Sequence, residues 1–189
     1  ISDTNSVPVA FTTVTSSVAG SKYPTGIPSN RWRLVSVPAD LDSKSLSSIL
    51  SGVYSGDYIA YNAQPAEITA LANGAGMWFY QKSPVDMPIN TASGKTNPTT
   101  GFDMSLTPGS NLIGNPYPFT INFAALEDTA FYGPIEYGVG TTEAWSNEVT
   151  TLQPFGGYAI YVKGNAARTI RVTPDDFVWI PKSSQTLDG

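Results

Sequence analysis

The sequence contains no cysteine and no histidine. Without cysteine the chain forms no disulfide, no thiolate metal site and no cysteine nucleophile. Without histidine it has neither the usual general base near neutral pH nor a Ser-His-Asp triad. An enzyme built on this chain would need a pair of carboxylates, or a tyrosine or lysine in the catalytic role. We therefore expect a non-catalytic protein that carries no cofactor.

Charge is also scarce, since Asp, Glu, Lys and Arg make up 13% of the residues and the net charge is −5. The ten basic residues are scattered, whereas a surface for nucleic acid or anionic lipid needs them clustered. No stretch approaches the roughly 20 apolar residues that span a bilayer. Residues 1–3 do not begin a signal peptide. We expect an extracellular or cell-surface location, no nucleic-acid partner and no direct membrane insertion, with any signal peptide absent from this chain.

The remaining polarity comes largely from Ser, Thr, Asn and Gly. The chain has 17 Gly and 15 Pro, and aromatic residues make up 12% of it. Glycine and proline supply turns, and aromatic residues favour strands. This composition is typical of a β-rich extracellular domain with a neutral, hydroxyl-rich surface.

Two blocks of the sequence occur twice, in the same order. Residues 31–38 are echoed by residues 110–116, and residues 74–82 by residues 155–163. The matched positions are mainly strand-forming apolar residues, glycines and turn prolines, so the repeated part is scaffold. We expect the glycines to permit a tight turn or bulge. Any function specific to this protein is expected in the unmatched stretches, especially 54–66 and 129–150.

This duplication predicts a mostly β fold of two pseudo-repeated antiparallel β units, sandwich- or barrel-like, with one short helix. Within residues 42–50, Leu46, Ile49 and Leu50 have helical spacing, and Asp42 or Ser43 is the expected N-cap. The predicted parts are an N-terminal strand and loop (1–29), a first repeat (30–93), a linker or long loop (94–101), a second repeat (102–174) and a C-terminal strand and tail (175–189).

Several aromatic residues lie in loops or polar strands, where their rings could be exposed. A flat aromatic surface binds pyranose rings by stacking, and tyrosine adds a hydrogen-bonding tip. The candidate ligand or partner contacts are Tyr54, Tyr58, Tyr132, Tyr137 and Trp145. The alternative is ordinary packing in the core or at its rim. Trp32, Trp78 and Trp179 lie in apolar runs and are expected in the core, and the run 77–81 is expected to be a strand buried on both faces.

Acidic residues occur in three close pairs. One pair is separated by a single residue, at 40 and 42, and two pairs are adjacent, at 127 and 128 and at 175 and 176. Glycoside hydrolysis needs two carboxyl groups about 5–9.5 Å apart in a cleft, but nothing in the spacing selects a pair. A calcium loop of the Asp-x-Asp-x-Asp-Gly type is not present. Turn residues and helix caps are the alternative interpretation of these acids.

An alternating pattern near the start of the chain predicts a strand that contains Val7, Val9 and Phe11. Pro8 places this strand at an edge or at its own beginning. It could be donated to the open sheet of another subunit. A monomer in solution with this strand paired inside its own sheet would contradict that interpretation.

The block Gly109-Ser110-Asn111-Leu112-Ile113-Gly114-Asn115-Pro116-Tyr117-Pro118 resembles the "GWNLIGNPYP" pattern of large secreted bacterial surface proteins. Residues 152–160 resemble the "GYWV" block that follows it there. Residues 31–38 and 71–79 resemble the same pair earlier in the chain. Ser110 stands where the pattern usually has Trp, and Met77 where it has Tyr or Phe. The resemblance implies a non-catalytic β-rich module of exported proteins.

Three functions follow, in order of preference. The first is a structural or adhesive module, a possible subunit of a cell-surface filament or other assembly joined by strand exchange. Its partners would be other protein subunits, including copies of itself. The alternative is a carbohydrate-binding module of a secreted protein, with surface polysaccharide as partner. A carboxylate-based enzyme acting on glycosides is a distant third.

Overall fold

A computed structural model describes residues 10–11, 21–50, 56–82, 94–95, 97, 100–123, 130–138 and 143–173. The described part of the chain is mostly β, as the sequence predicts, with one short helix and no closed barrel. Within those residues, no helical segment has the length and hydrophobicity that crossing a bilayer requires.

Fourteen strands and one helix make up the described secondary structure. In chain order they are β1 (Ala10–Phe11), β2 (Trp32–Ser36), β3 (Asp40–Leu41), α1 (Leu46–Ile49), β4 (Tyr58–Tyr61), β5 (Gly76–Gln81), β6 (Gly94–Lys95), β7 (Phe102–Leu106), β8 (Gly109–Gly114), β9 (Ile121–Asn122), β10 (Phe131–Tyr137), β11 (Trp145–Glu148), β12 (Thr151–Leu152), β13 (Gly157–Val162) and β14 (Arg168–Val172).

The helix is shorter than the sequence pattern predicts. Leu46, Ile49 and Leu50 are buried in the core, as their spacing indicates. The N-cap, however, is Ser45, and its side chain makes no capping hydrogen bond. The predicted caps Asp42 and Ser43 are therefore wrong. Burial of its apolar side holds this single turn, because a helix this short is not stable by itself.

Two sheets dominate the fold. One has the strand order β2-β5-β4, and the other has the order β11-β10-β13-β8. Smaller sheets join β1-β6-β3, β12-β9 and β14-β7. The stretch 94–101, interpreted as a linker or long loop, supplies β6, which pairs with β1 on one side and β3 on the other.

The sequence repeat is also a structural repeat. In the first unit β2 pairs antiparallel with β5, with Trp32 opposite Tyr80 and Ser36 opposite Gly76. In the second unit β8 pairs antiparallel with β13, with Ser110 opposite Tyr161 and Gly114 opposite Gly157. These are the positions that the matched blocks align, so the two units share one strand register.

The two repeats contact each other reciprocally. Val35 of the first bridges Gly156 of the second, and Ile113 of the second bridges Ala75 of the first. Because these pairs are equivalent under the repeat, the contact has an approximate two-fold relation. A Cβ atom on Gly157 would lie 2.7 Å from the Val35 nitrogen. At Gly157 the missing side chain therefore permits close approach of the two repeats, whereas Gly74 lies in a turn with a φ of +72°, as the sequence suggested.

Each repeat has its own cluster of buried apolar residues, but the clusters are not independent. Phe155 belongs to the second repeat by sequence, yet it is fully buried within the cluster of the first repeat. Its carbonyl oxygen accepts a hydrogen bond of 2.9 Å from the Ser36 backbone N–H. The first core is therefore completed by a side chain of the second repeat.

The strands β5 and β13 are buried on one face only. In β5, Met77 and Phe79 are buried, while Trp78 and Tyr80 are half-buried. The prediction of a strand buried on both faces is therefore wrong. Trp32 is also only partly buried, so Trp32 and Trp78 are not the core residues that the apolar runs suggested. Trp179 lies outside the described residues.

Candidate functional site

An open groove lined by aromatic side chains lies on the outer face of the first sheet. Its volume is about 330 Å³. We call it the aromatic groove, and its lining residues are Trp32, Tyr61, Pro65, Trp78, Tyr137 and Trp145. Its lining is thus aromatic except for one proline.

Strand pairing brings the rings of the first repeat together. Trp78 of β5 lies opposite Leu34 of β2 on one side and opposite Tyr61 of β4 on the other. Trp32 lies two residues before Leu34 on β2. Strand alternation therefore places Trp32 on the same face of the sheet as Leu34 and its partner Trp78. One exposed face of a three-stranded sheet therefore presents three of the groove's rings.

The rings contact one another mainly edge to face. The Trp78 centroid lies 5.0 Å from that of Tyr137 and 5.4 Å from that of Trp145, at interplanar angles of 70° and 80°. Tyr137 and Trp145 are 5.3 Å apart. Such pairs contribute about 0.5–1.5 kcal/mol each beyond the area they bury. Trp78 is therefore the centre of a mutually supported cluster that holds its shape without a ligand.

The second wall of the groove comes from the hairpin of β10 and β11. Tyr137 and Trp145 are register partners across this hairpin. At its tip, Glu143 accepts a hydrogen bond of 3.1 Å from the Trp32 backbone N–H. The hairpin belongs to the second repeat, so the groove is built by both.

A buried arginine lies beneath the end of this hairpin. Arg33 of β2 is 1% exposed, and its Nη1 atom donates to the Trp32 carbonyl oxygen at 2.7 Å. Gly138 follows β10 with a φ of +75°, and a Cβ atom there would lie 2.5 Å from that Nη1. Two residues before Gly138, Glu136 of β10 forms an ion pair with Lys22, and both side chains are largely buried. The Arg33 contact holds the hairpin against the first repeat, and the Lys22 ion pair holds it against the N-terminal segment.

The five aromatic candidates suggested by the sequence do not share one site in the structure. Tyr137 and Trp145 line the groove, and Trp145 is 49% exposed. Tyr132 is 60% exposed and lies farther along β10, beside Tyr161. Tyr58 instead stacks on Phe79 at 5.5 Å against the first core, and burial raises its pKa. Tyr54 lies outside the described residues.

Sequence reasoning missed Trp32, Tyr61 and Trp78 as members of the site. The run from Met77 to Phe79 is apolar at every position, so no alternation of polar and apolar residues marked Trp78 as exposed. Four of the six lining residues, Tyr61, Pro65, Tyr137 and Trp145, come from the unmatched stretches 54–66 and 129–150.

Several of the described carboxylates are used in ion pairs or hydrogen bonds. Asp40 pairs with Lys44, four residues later in the chain, and Asp103 pairs with Arg171 at 2.9 Å. Asp42 also has a polar or electrostatic contact. No group of three metal-ligating side chains occurs among the described residues. The pairs at 127–128 and 175–176 lie outside them.

The donor-strand residues are only partly described. Phe11 pairs with Gly94 of the same chain, within β1 and β6. Val7 and Val9 lie outside the described residues. Strand exchange with another subunit therefore stays a prediction.

Likeness to known proteins does not assign a role to the aromatic groove. The resemblance to modules of secreted bacterial surface proteins rests on the motif residues alone and stays a prediction. Comparison of the chain with protein-family models, with curated proteins and with solved structures found no match.

Proposed function

We propose that this chain is a non-catalytic glycan-binding module of an extracellular protein. The observation that carries the proposal is the aromatic groove, in which tryptophan and tyrosine rings remain partly open to solvent beside one another. The faces of such rings pack against the C–H faces of pyranose rings. The phenol and indole groups at the ring edges supply hydrogen-bonding tips, which suit the hydroxyls around a sugar.

The chemistry of the lining also favours a neutral ligand. The six lining residues carry no formal charge, so nothing in the groove selects an anion or a cation. Its volume of about 330 Å³ lies near the lower end of ligand pockets, which are roughly 300–1,000 Å³. Because the rings support one another, little side-chain entropy is lost when a ligand binds. These features suit one or two sugar rings.

A protein partner is the competing occupant of the same surface. Tyrosine and tryptophan are enriched at the centres of protein interfaces, and the resemblance to surface-protein modules fits an adhesive or structural role. The lining's openness and lack of charge are shared by both interpretations. The two differ in what binds: a glycan is retained by the purified chain, whereas a second copy or another subunit raises its mass in solution.

Replacement of the central ring tests the proposal. We expect Trp78→Ala to weaken binding to the polysaccharide that retains the wild type by roughly 10- to 100-fold, since a lost buried aromatic contact is worth about 1.5–3 kcal/mol. Binding is measured by calorimetry and by affinity electrophoresis in gels that contain glucan, xylan or soluble chitin. Trp78→Phe keeps an aromatic face and should retain most of the affinity.

Folding is checked separately by circular dichroism of both variants. If the wild type is not retained by any of these polysaccharides, the proposal is wrong. It is equally wrong if a folded Trp78→Ala variant binds as tightly as the wild type.

A further inference from the structure

A second depression lies on the sheet of the second repeat. Its volume is about 270 Å³. Six of its lining residues matter here: Ser110, Tyr132, Trp145, Glu148, Ala159 and Tyr161. Trp145 also lines the aromatic groove, so the two depressions share one wall.

The depression occupies the position that two tryptophans fill in the first repeat. Under the shared register, Trp32 corresponds to Ser110, because Trp32 lies opposite Tyr80 and Ser110 opposite Tyr161. Trp78 corresponds to Ala159, because Trp78 lies opposite Leu34 and Ala159 lies opposite Leu112, the equivalent residue of the second repeat. A serine and an alanine thus stand where the first repeat has two indoles. The smaller side chains leave the space open.

Exposed aromatic rings border this space. Tyr132 is 60% exposed and Tyr161 is 48% exposed, and their ring centroids lie 6.2 Å apart. The Lys163 ammonium lies 3.7 Å from the centroid of the Tyr132 ring, in a cation–π contact that restrains the ring. Such exposed, partly fixed rings offer the same stacking chemistry as the aromatic groove.

Polar groups stand beside the rings. Glu148 is held in place because its Oε1 atom accepts a hydrogen bond of 2.9 Å from the Gly133 N–H. Ser110 is exposed on the neighbouring part of the sheet. A carboxylate and a hydroxyl at the edge of a stacking surface are acceptors and donors for sugar hydroxyls.

We propose that this depression is a second sugar subsite, so that one glycan chain crosses Trp145 from the aromatic groove onto the second repeat. The inference rests on the proposed function and extends it from a single sugar to an oligosaccharide. From Tyr137 to Tyr132 the path along β10 is roughly 16 Å at about 3.3 Å per residue. That span takes several sugar units and exceeds a single one.

Filling the depression tests the inference. Ala159→Trp places at the second repeat the residue that the first repeat carries in the same register, so the fold should accept it. Affinities are measured by calorimetry for di- and hexasaccharides of β-1,4-linked glucose, xylose and N-acetylglucosamine. We expect the hexasaccharide that binds the wild type best to bind Ala159→Trp about tenfold more weakly. The disaccharide of the same sugar should bind both proteins equally.

Two further variants keep the test decisive. Thr169→Trp adds the same ring at an exposed position of β14, outside both depressions, and should leave both affinities unchanged. Tyr132→Ala removes a border ring without filling space, and should also weaken only the hexasaccharide. It serves as the main test if Ala159→Trp does not fold.

The outcomes separate this inference from the proposed function. If the wild type binds di- and hexasaccharide equally, or if neither Ala159→Trp nor Tyr132→Ala weakens the hexasaccharide, the second subsite is wrong. The aromatic groove can still bind glycan in that case. If no sugar binds the wild type, or if Trp78→Ala does not affect binding, the proposed function is wrong and the second subsite with it.

Discussion

At the scale of single residues, two buried tyrosines lie near the contact between the repeats. The Tyr23 hydroxyl donates to the Leu34 carbonyl oxygen at 2.8 Å. The Tyr158 hydroxyl accepts from the Gln153 backbone N–H at 2.6 Å. Burial raises the pKa of both phenols well above the ordinary value of 10.0, because the charged form would be desolvated.

These raised pKa values predict a loss of stability at alkaline pH. In the unfolded chain both tyrosines release their protons near pH 10, whereas in the folded chain they keep them. Their contribution is therefore complete below pH ~10 and is lost as the pH rises toward the folded-state pKa. Between pH ~10 and the folded-state pKa, the free energy of unfolding should fall by about 1.4 kcal/mol per pH unit for each tyrosine.

Urea unfolding at pH 8 and at pH 11 measures this effect. Tyr23→Phe and Tyr158→Phe should each reduce the alkaline fall, and the double variant should reduce it further. Tyr23→Phe should also lower stability at pH 8 by about 1 kcal/mol, because a buried hydrogen bond is lost. Equal alkaline falls in the wild type and the double variant would show that these phenols do not control it.

At the scale of elements, the hairpin of β10 and β11 decides the shape of the groove. Its register shifts between Ile135 and Tyr137, and that of β10 with β13 shifts between Tyr132 and Ile135. Such irregularities change the direction of side chains along a strand. Tyr132 and Tyr137, five positions apart on this strand, line different depressions.

Substitution of Gly138 tests how strongly glycan binding in the aromatic groove depends on the position of this hairpin. Gly138→Ala brings a Cβ atom to 2.5 Å from the buried Arg33 Nη1, and Arg33 is too confined to move away. We expect the hairpin end to shift, with about tenfold weaker glycan binding and a stability loss of about 1–3 kcal/mol. Neither residue lines the groove, so the loss would report positioning of Tyr137 and Trp145.

Gly164 provides the matched control. Its φ of +77° resembles that of Gly138, but nothing lies within 4 Å of the added Cβ atom. Gly164→Ala should therefore show only the backbone strain of about 1–2 kcal/mol, with unchanged affinity. If both variants bind glycan equally, the contact of Gly138 with Arg33 does not position the groove.

At the scale of the whole molecule, the described parts of the two repeats behave as one packed unit. The first core contains Phe155 of the second repeat. Backbone hydrogen bonds join Ser36 to Phe155 and Gly114 to Gly74, both at 2.9 Å. Since the first core is incomplete without Phe155 and backbone hydrogen bonds join the two repeats, we expect them to unfold together.

Cooperative unfolding is the expected consequence. Tryptophan fluorescence and far-ultraviolet circular dichroism should give one coincident urea transition. Phe155→Ala should move both signals together to lower urea, with a loss of about 3–5 kcal/mol. Two separate transitions in the wild type would mean that the repeats are independent domains.

Much of the scaffold is readable from the sequence because strand alternation is a local property. The matched blocks predicted two equivalent antiparallel units, which the structure forms as the pairs β2–β5 and β8–β13. Apolar content led to the wrong prediction of burial on both faces of β5, because hydrophobic side chains lie on both faces of that strand. Trp78 is as apolar as Phe79, so composition alone could not tell the exposed ring from the buried one.

The two repeats and the hydroxyl-rich, weakly charged, aromatic-rich composition can be read from the sequence alone. These follow from alternation and residue type, which act over a few residues. Only the tertiary structure decided which rings share a groove, because Trp78 and Trp145 are far apart in the chain. They meet where the hairpin of one repeat packs against the sheet of the other, at the close approach of Gly138 to buried Arg33.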